Sequence, residues 1–211
     1  VREGDHLVAL LFLVENEVVK CVFLLGAIGA GKSTALRYLE SKGAEALSAD
    51  EVVHRLYQKD SELIDAIGKM FPGVLDEDLK LNRQALAAQL LLHPGDVLAL
   101  ESLVHPKVRA ELVKTLEASL AEIVVYELPI SRDTTDFSLA DAVIVIDAQD
   151  DVRLERLTFR GLSKTQALER MTLHPRPFIP SNKLLYRIQN DGEESQLFTQ
   201  LDAIWNELVY D

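Results

Sequence analysis

One cysteine, Cys21, stands in a chain of 211 residues. A single thiol forms no intrachain disulfide, so folding rests on a core, and a reducing, cytoplasmic compartment is expected. Basic residues are also scarce: 22 Lys and Arg against 34 Asp and Glu give a formal net charge of −12. Wrapping a nucleic-acid backbone needs clustered cations, so no nucleic-acid partner is expected. A small anion is not excluded, because one Gly-rich turn and one Lys can hold a phosphate in an acidic protein. The apolar run at 7–14 (LVALLFLV) is too short to span a bilayer. Glu3 and Asp5 precede it where a secretory signal carries basic residues. It reads as an extra strand or as upstream sequence, and no membrane partner is expected. No internal repeat or low-complexity linker is visible. What is there is ordinary globular usage, 48% hydrophobic and 27% charged. That excludes a disordered chain, a collagen-like chain and a disulfide scaffold. The length suits one large domain or one domain with subdomains.

Short apolar runs bounded by turn residues read as buried strands. Such runs are 21–25 (CVFLL), a weaker one at 44–47, 123–128 (IVVYEL), 142–146 (AVIVI) and 184–188. Helices are predicted over 33–41, 153–160, 165–173 and 197–209. From Asp50 to about Glu122 the pattern is helical throughout: Ile64, Ile67 and Met70 keep helical spacing, as do Leu86, Leu90 and Leu91. Leu98, Leu100 and Leu103 continue it, then Val108, Leu112, Leu116 and Leu120. Residues 174–180 (HPRPFIP) carry three prolines and form a loop. Strands alternating with helices imply an α/β fold with a parallel sheet covered on both faces. The helical stretch between the second and third strands is an inserted subdomain.

Gly26-Ala27-Ile28-Gly29-Ala30-Gly31-Lys32-Ser33 fits G-x-x-x-x-G-K-[ST] between a predicted strand and a predicted helix, the context that motif requires. Glycines let a loop turn its N–H groups toward a phosphate, and the helix N-terminus adds positive potential. Lys32 can then reach the β- and γ-phosphates, and Ser33 can give its hydroxyl to Mg²⁺. The loop alone does not separate kinase, GTPase and motor ATPase. Asp50 follows the second strand, at the sheet edge that faces the ligand crevice in open α/β folds. Its carboxylate could accept a proton from a substrate hydroxyl, hold Mg²⁺ through water, or cap the next helix.

More motifs follow in order: Ser48-Ala49-Asp50 with His54, Leu81-Asn82-Arg83 with Leu86, and Leu103-Val104-His105-Pro106 with Arg109. Then come Glu127-Leu128-Pro129, Ala140-Asp141 leading into Val143-Ile144-Val145-Ile146-Asp147, Leu154-Glu155-Arg156-Leu157, Arg160-Gly161-Leu162-Ser163, and Asn190 with Gly192. In order and spacing, from about Cys21 to Leu208, the series resembles the dephospho-CoA kinase family, in the nucleoside-monophosphate-kinase branch of P-loop proteins.

That resemblance implies a P-loop kinase fold, a five-stranded parallel sheet flanked by helices. Its core would take 21–55, 122–150 and 184–211, a helical substrate subdomain about 56–121, and a lid about 151–183, with 1–20 as an N-terminal extension. The implied reaction is phosphorylation of the ribose 3′-hydroxyl of dephospho-CoA by ATP, giving CoA and ADP. Gly29, Ala30, Gly31, Lys32, Ser33 and Thr34 would hold the phosphates, with Lys32 neutralising the transferring group. Ser33 would ligate Mg²⁺, and Glu127 would be a second, Walker-B-like carboxylate acting through water. Asp50 matches the family's general base, and Arg83, His105, Pro106 and Arg109 match its dephospho-CoA side. Arg156 and Arg160 match lid arginines that clamp phosphate oxygens, and Asn190 lies near the adenine. Read from the residues alone, His105 is a satisfied helix-start histidine. The four arginines are then solvated charges, Arg156 and Arg160 pairing with Asp151 and Glu155.

Several positions depart from the family pattern. Leu25, Ala27 and Ala30 alter the loop, and Ser48 replaces an Asp. The stretch Pro129-Ile130-Ser131-Arg132-Asp133 stands where Pro-Leu-Leu-Phe-Glu is usual, so Arg132 puts a charge at an apolar place and Asp133 stands in for the carboxylate. In 174–185, His174, Pro180 and Leu184-Leu185 replace a Gln, a basic residue and Ala-Asp. Arg176 and Lys183 are the cations that could supply the missing charge from shifted positions. Three readings follow: a cytoplasmic dephospho-CoA kinase, a P-loop kinase for another small metabolite or nucleoside monophosphate, and a nucleotide-binding protein without turnover.

Overall fold

The computed structural model describes residues 19–210, so the strand expected at 7–14 lies outside the described residues. Five strands form one parallel sheet: β1 (Lys20–Gly26), β2 (Glu45–Ser48), β3 (Ile123–Glu127), β4 (Ala142–Asp147) and β5 (Leu184–Gln189), in the order β2-β3-β1-β4-β5. Composition follows position. β1, β3 and β4 lie inside the sheet and read as continuous apolar runs, because both of their faces are covered. β2 and β5 are the edges and carry Glu45, Ser48, Arg187 and Gln189.

Alternation along β1 divides two cores. Val22 and Leu24 pack with Ala35 and Leu39 of α1 (Lys32–Ser41) and with Leu197, Leu201 and Leu208 of α8 (Glu194–Tyr210). Cys21, Phe23 and Leu25 face the other way, toward α2 (Ala49–Lys59), α3 (Ser61–Met70), α4 (Arg83–Leu92) and α5 (Asp96–Ala118). These four helices are the stretch between β2 and β3. Burial pushes the Cys21 thiol up to about 12, so it stays protonated and inert.

Within that stretch the apolar face is not the one expected for α3. Leu63, Ile67 and Phe71 are buried, while Met70 is 41% exposed. Both sets have helical spacing. The set that wins includes the ring of Phe71, at the helix end, which fills more of the core than the unbranched Met70. Leu91, Leu98 and Leu120 are likewise exposed, and Leu120 lies beyond the end of α5.

The remaining helices are α6 (Asp150–Phe159) and α7 (Lys164–Leu173). α7 opens on a capping box in which Ser163 and Gln166 satisfy each other's backbone N–H groups. Among the described residues no helix is long and apolar enough to cross a membrane.

Candidate active site

Every strand delivers something to the same edge of the sheet. β1 runs into the phosphate loop at 26–31, β2 into Asp50, β3 ends on Glu127, β4 on Asp147, and β5 leads into Asn190. This is the carboxyl edge, where open parallel sheets bind ligands.

The phosphate loop is held from behind through its carbonyls. Lys32 Nζ donates to the Gly26 carbonyl at 2.7 Å, Arg153 Nε to the Ile28 carbonyl at 2.9 Å, and Asn190 Nδ2 to the Ala30 carbonyl at 2.8 Å. Arg156 Nη1 reaches that same Ala30 carbonyl at 3.4 Å. Fixing the carbonyls leaves N–H groups of the loop and of the α1 N-terminus, which no side chain caps among the described residues, to an anion. Two glycines make the fit possible. Gly29 has φ +79°, and a Cβ on it would lie 3.0 Å from the Arg153 carbonyl oxygen. Gly31 has φ +109°, and a Cβ there would run into Asn190 Nδ2.

Burial pushes the Lys32 ammonium below the usual lysine range; Glu127 and Asp50 oppose that, and Arg153 adds to it. One cation therefore feels carboxylates from the ends of β2 and β3. Asp50 is exposed in the first turn of α2, where Ser48, not Asp50, holds the N-cap position. The capping role open to it in sequence is thus not the one it takes. Burial, then Cys21 and Asp50, push the Tyr126 phenol above its ordinary range, so this hydroxyl stays neutral beside the carboxylate.

Asp50 also lines a cavity of about 490 Å³ between the sheet and α5. Its walls are largely apolar, with Phe23, Val53, Tyr126 and Leu128 among them, and Phe23 meets Tyr126 edge-on at 5.0 Å. His105, Pro106 and Arg109 line the same cavity from the middle of α5, so His105 does not start a helix. Arg109 Nη1 donates to Asp136 Oδ2 at 2.8 Å and to Ser138 Oγ at 3.2 Å. Asp136 lines the cavity, and Asp133 is not among the lining residues. Arg83 is also not brought to the cavity. Its Nη1 lies 2.6 Å from His54 Nδ1, on α2.

A second, smaller cavity of about 120 Å³ gathers Gly31, Thr34, Arg156, Arg160, Asn190 and Gly192. The sequence places Arg156 and Arg160 on one helix. The structure ends α6 at Phe159, so Arg160 is its C-cap, yet both line this cavity. Neither pairs with Asp151 or Glu155 among the described ion pairs.

Segment 174–185 is fastened, not free. Arg176 pairs with Asp147 and Asp150, Lys183 Nζ donates to the Ala140 carbonyl at 2.7 Å, and Ser131 exchanges two hydrogen bonds with the Phe178 backbone. The two cations expected to supply charge near the nucleotide are therefore used to dock the segment. Ser131, a departure from the family pattern, is buried by that same docking.

Arg153 is the residue the sequence reading passed over. Only 3% exposed, it bridges the Ile28 carbonyl and Asp150, and its Nη2 is buried without a partner among the described residues. Its position on a polar helix start gave no signal. A sequence pattern does not say which arginine of a first turn points inward.

Comparison with known proteins agrees with this architecture. The family model described as dephospho-CoA kinase matches residues 20–175. The dephospho-CoA kinase of Corynebacterium jeikeium is 33% identical over 189 residues, covering 88% of this chain and 97% of that protein. That of Chlorobaculum tepidum is 32% identical over 206 residues, covering 89% and 94%. Among solved structures, TT1252 from Thermus thermophilus superposes with a TM-score of 0.74 at 27% identity, over 90% of this chain and 98% of that one. A dephospho-CoA kinase from Campylobacter jejuni, 22% identical with a TM-score of 0.55 over 90% and 97%, shares the fold. With a family match over most of its length and relatives above 30% identity along nearly their whole chains, this protein belongs to the dephospho-CoA kinase family.

Proposed function

We propose that this kinase transfers the γ-phosphoryl group of ATP to the ribose 3′-hydroxyl of dephospho-CoA, with Asp50 as general base. The observation that carries this reading is the double position of Asp50. It lines the large cavity, and after Glu127 it is the carboxylate that acts on the Lys32 ammonium. An acceptor hydroxyl at Asp50 would then face a phosphoryl group held at Lys32. The proton of the 3′-hydroxyl passes to Asp50 as the oxygen attacks phosphorus, and ADP leaves. Lys32 and Arg156 balance charge that spreads over the phosphoryl oxygens.

Residues 29–34 would cradle the phosphates, and Arg160 and Asn190 would border the nucleotide from the small cavity. His105, Pro106 and Arg109 would hold the acceptor. Arg83 would act on that side through His54, one helical turn from Asp50. The donor set fits Mg²⁺: a hydroxyl at Ser33 and a carboxylate at Glu127 are hard oxygen ligands, with the phosphates supplying the rest. Mg²⁺ would supply charge neutralisation at the phosphates. Residues 56–121, with α3–α5, would form the acceptor-side subdomain, and residues 151–183 the lid. A cytoplasmic setting matches the single reduced thiol.

The test is ADP release with ATP and Mg²⁺ on dephospho-CoA, AMP, CMP and no acceptor. Turnover on dephospho-CoA is expected. Turnover on AMP or CMP alone would move the reading to a nucleoside-monophosphate kinase, and nucleotide binding with no turnover to a binding protein.

A further inference from the structure

The acceptor cavity holds two guanidinium groups, and each already has a carboxylate. Arg109 pairs with Asp136 and Arg132 with Glu101, at 2.8 and 2.5 Å. With Asp50, the cavity carries three carboxylates against two arginines. An acceptor bearing a diphosphate meets an excess of negative charge in such a site, and an arginine that turns from its carboxylate toward the diphosphate would offset it.

The two pairs are not equally free to do so. Arg109 is held at two acceptors, and its partner Asp136 is fixed in turn. Asp136 Oδ1 accepts from the Ser138 N–H at 2.8 Å, the first cause of its lowered pKa. The Arg132 guanidinium has Glu101 as its one side-chain partner among the described residues, through Nη1 alone. Its Nε and Nη2 are uncommitted, and its side chain is 49% exposed. A single-contact pair at the surface contributes little and is easily exchanged. A guanidinium offers a phosphate two parallel donors in one plane, a better match than one contact to a carboxylate. The backbone that carries it is firm: the Arg132 N–H donates to Thr135 Oγ1 at 2.8 Å, and Ser131 beside it is bound to Phe178. A fixed backbone with a releasable side chain is the arrangement that partner exchange needs.

We propose that Arg132 is a specificity-determining residue of the acceptor site: its guanidinium leaves Glu101 and grips the diphosphate of the incoming substrate. Glu101 keeps the arginine extended and in place until then. The inference rests on reading the cavity as the acceptor site. It accounts for a charge at a position where the sequence pattern has an apolar residue.

Arg132→Leu, Arg132→Lys and Glu101→Gln are compared with the wild type, with thermal melts to establish folding. Steady-state kinetics are run on dephospho-CoA, and calorimetric dissociation constants are measured for dephospho-CoA and for adenosine, which has the ribose without the diphosphate. Arg132→Leu is expected to raise the KM and Kd for dephospho-CoA about 10-fold, the scale of one charged hydrogen-bonded contact. The loss falls on KM more than on kcat. The KM for ATP and the Kd for adenosine stay within about 2-fold, Arg132→Lys recovers part of the loss, and Glu101→Gln lowers the KM for dephospho-CoA. An unchanged KM in Arg132→Leu, or an equal loss for adenosine, overturns the role of Arg132 and leaves the kinase reading standing. A wild type that neither binds nor turns over dephospho-CoA overturns both, and does so before any variant is made.

Discussion

Around the phosphate loop, the groups that fix the backbone come from two other parts of the chain and are buried or half-buried: Arg153 and, one turn on, Arg156 from α6, and Asn190 after β5. Around the acceptor cavity, the charged pairs are exposed, and they join side chains to side chains: Arg109 to Asp136 and Arg132 to Glu101. The contrast follows from what each region must meet. A triphosphate presents the same oxygens every time, so a rigid nest of N–H groups suits it, and any looseness there costs affinity. An acceptor must enter, align one hydroxyl and leave as a product with one more phosphate. Apolar walls with exchangeable ion pairs permit that. Asp50 belongs to both regions, lining the cavity and acting on Lys32.

The largest effect should come from breaking that junction. Asp50→Asn keeps the shape and hydrogen-bonding capacity of the side chain but removes the proton acceptor. Turnover should fall at least about 100-fold, the usual range for losing a general base. ATP binding should stay nearly intact, since the loop is held by other groups. Pre-steady-state measurement of ADP formation, beside a binding isotherm for ATP, separates the two. An unchanged rate would remove Asp50 from the chemistry and would return the two regions to independence.

A smaller and one-sided effect is expected from Arg153→Gln. The glutamine can still meet the Ile28 carbonyl or Asp150, but not both, so the link between the loop and the start of α6 is broken. Affinity for ATP should drop about 10-fold, on the scale of one hydrogen bond to a charged group. The KM for dephospho-CoA should hardly move. If both constants rose together, the rigid and the exchangeable regions would be one mechanical unit. Arg153→Lys, which keeps the charge, tests whether charge or the fork of donors matters.

How much of this was legible in the chain depends on what kind of signal each part leaves. The inner strands were readable because a doubly covered strand must be apolar along its length, as at Val143, Ile144 and Val145. The loop was readable because three glycines, a lysine and a serine have a physical reason to stand at those places. Asp50 was readable by position, though its freedom from capping was not, since Ser48 could not be told from Asp50 as the N-cap residue. Illegible were the facts that need three dimensions. Nothing local says that Arg83 turns to His54, that Asp136 and not Asp133 meets Arg109, or that Arg176 spends its charge on Asp147 and Asp150. Each involves partners many residues apart, chosen by which loops the sheet brings together. The same is true of Arg153. Its burial is decided by how α6 lies under the loop, not by its neighbours in sequence.

The smallest effect, and the one that best sharpens the contrast, belongs to Asp60, far from either site's chemistry but inside the acceptor-side helices. Its Oδ1 accepts the Leu63 N–H at 2.9 Å as the N-cap of α3, and its Oδ2 meets Lys107 at 2.9 Å on α5, next to Pro106. The Leu63 N–H, first, and Lys107 hold its carboxyl below the usual carboxylate range, against the opposing effect of burial. A lowered folded pKa means that the ionised form is favoured in the native state. The stabilisation is therefore complete above the unfolded value of about 4 and is lost as pH falls through the depressed folded value. Asp60→Ala should lower stability by about 1 kcal/mol at neutral pH, the ordinary cost of losing such a cap. The deficit should shrink in acid, because the wild type loses the same contribution there. Denaturant unfolding at neutral pH and again in acid measures both numbers. ATP affinity should be untouched, since none of the loop's anchors lies on α3 or α5. The KM for dephospho-CoA should rise slightly, because Lys107 shares its helix with His105 and Arg109. A change in ATP affinity of equal size would mean that the helices covering the acceptor cavity and the anchors of the phosphate loop yield together, and the contrast between a rigid donor side and an adaptable acceptor side would not hold.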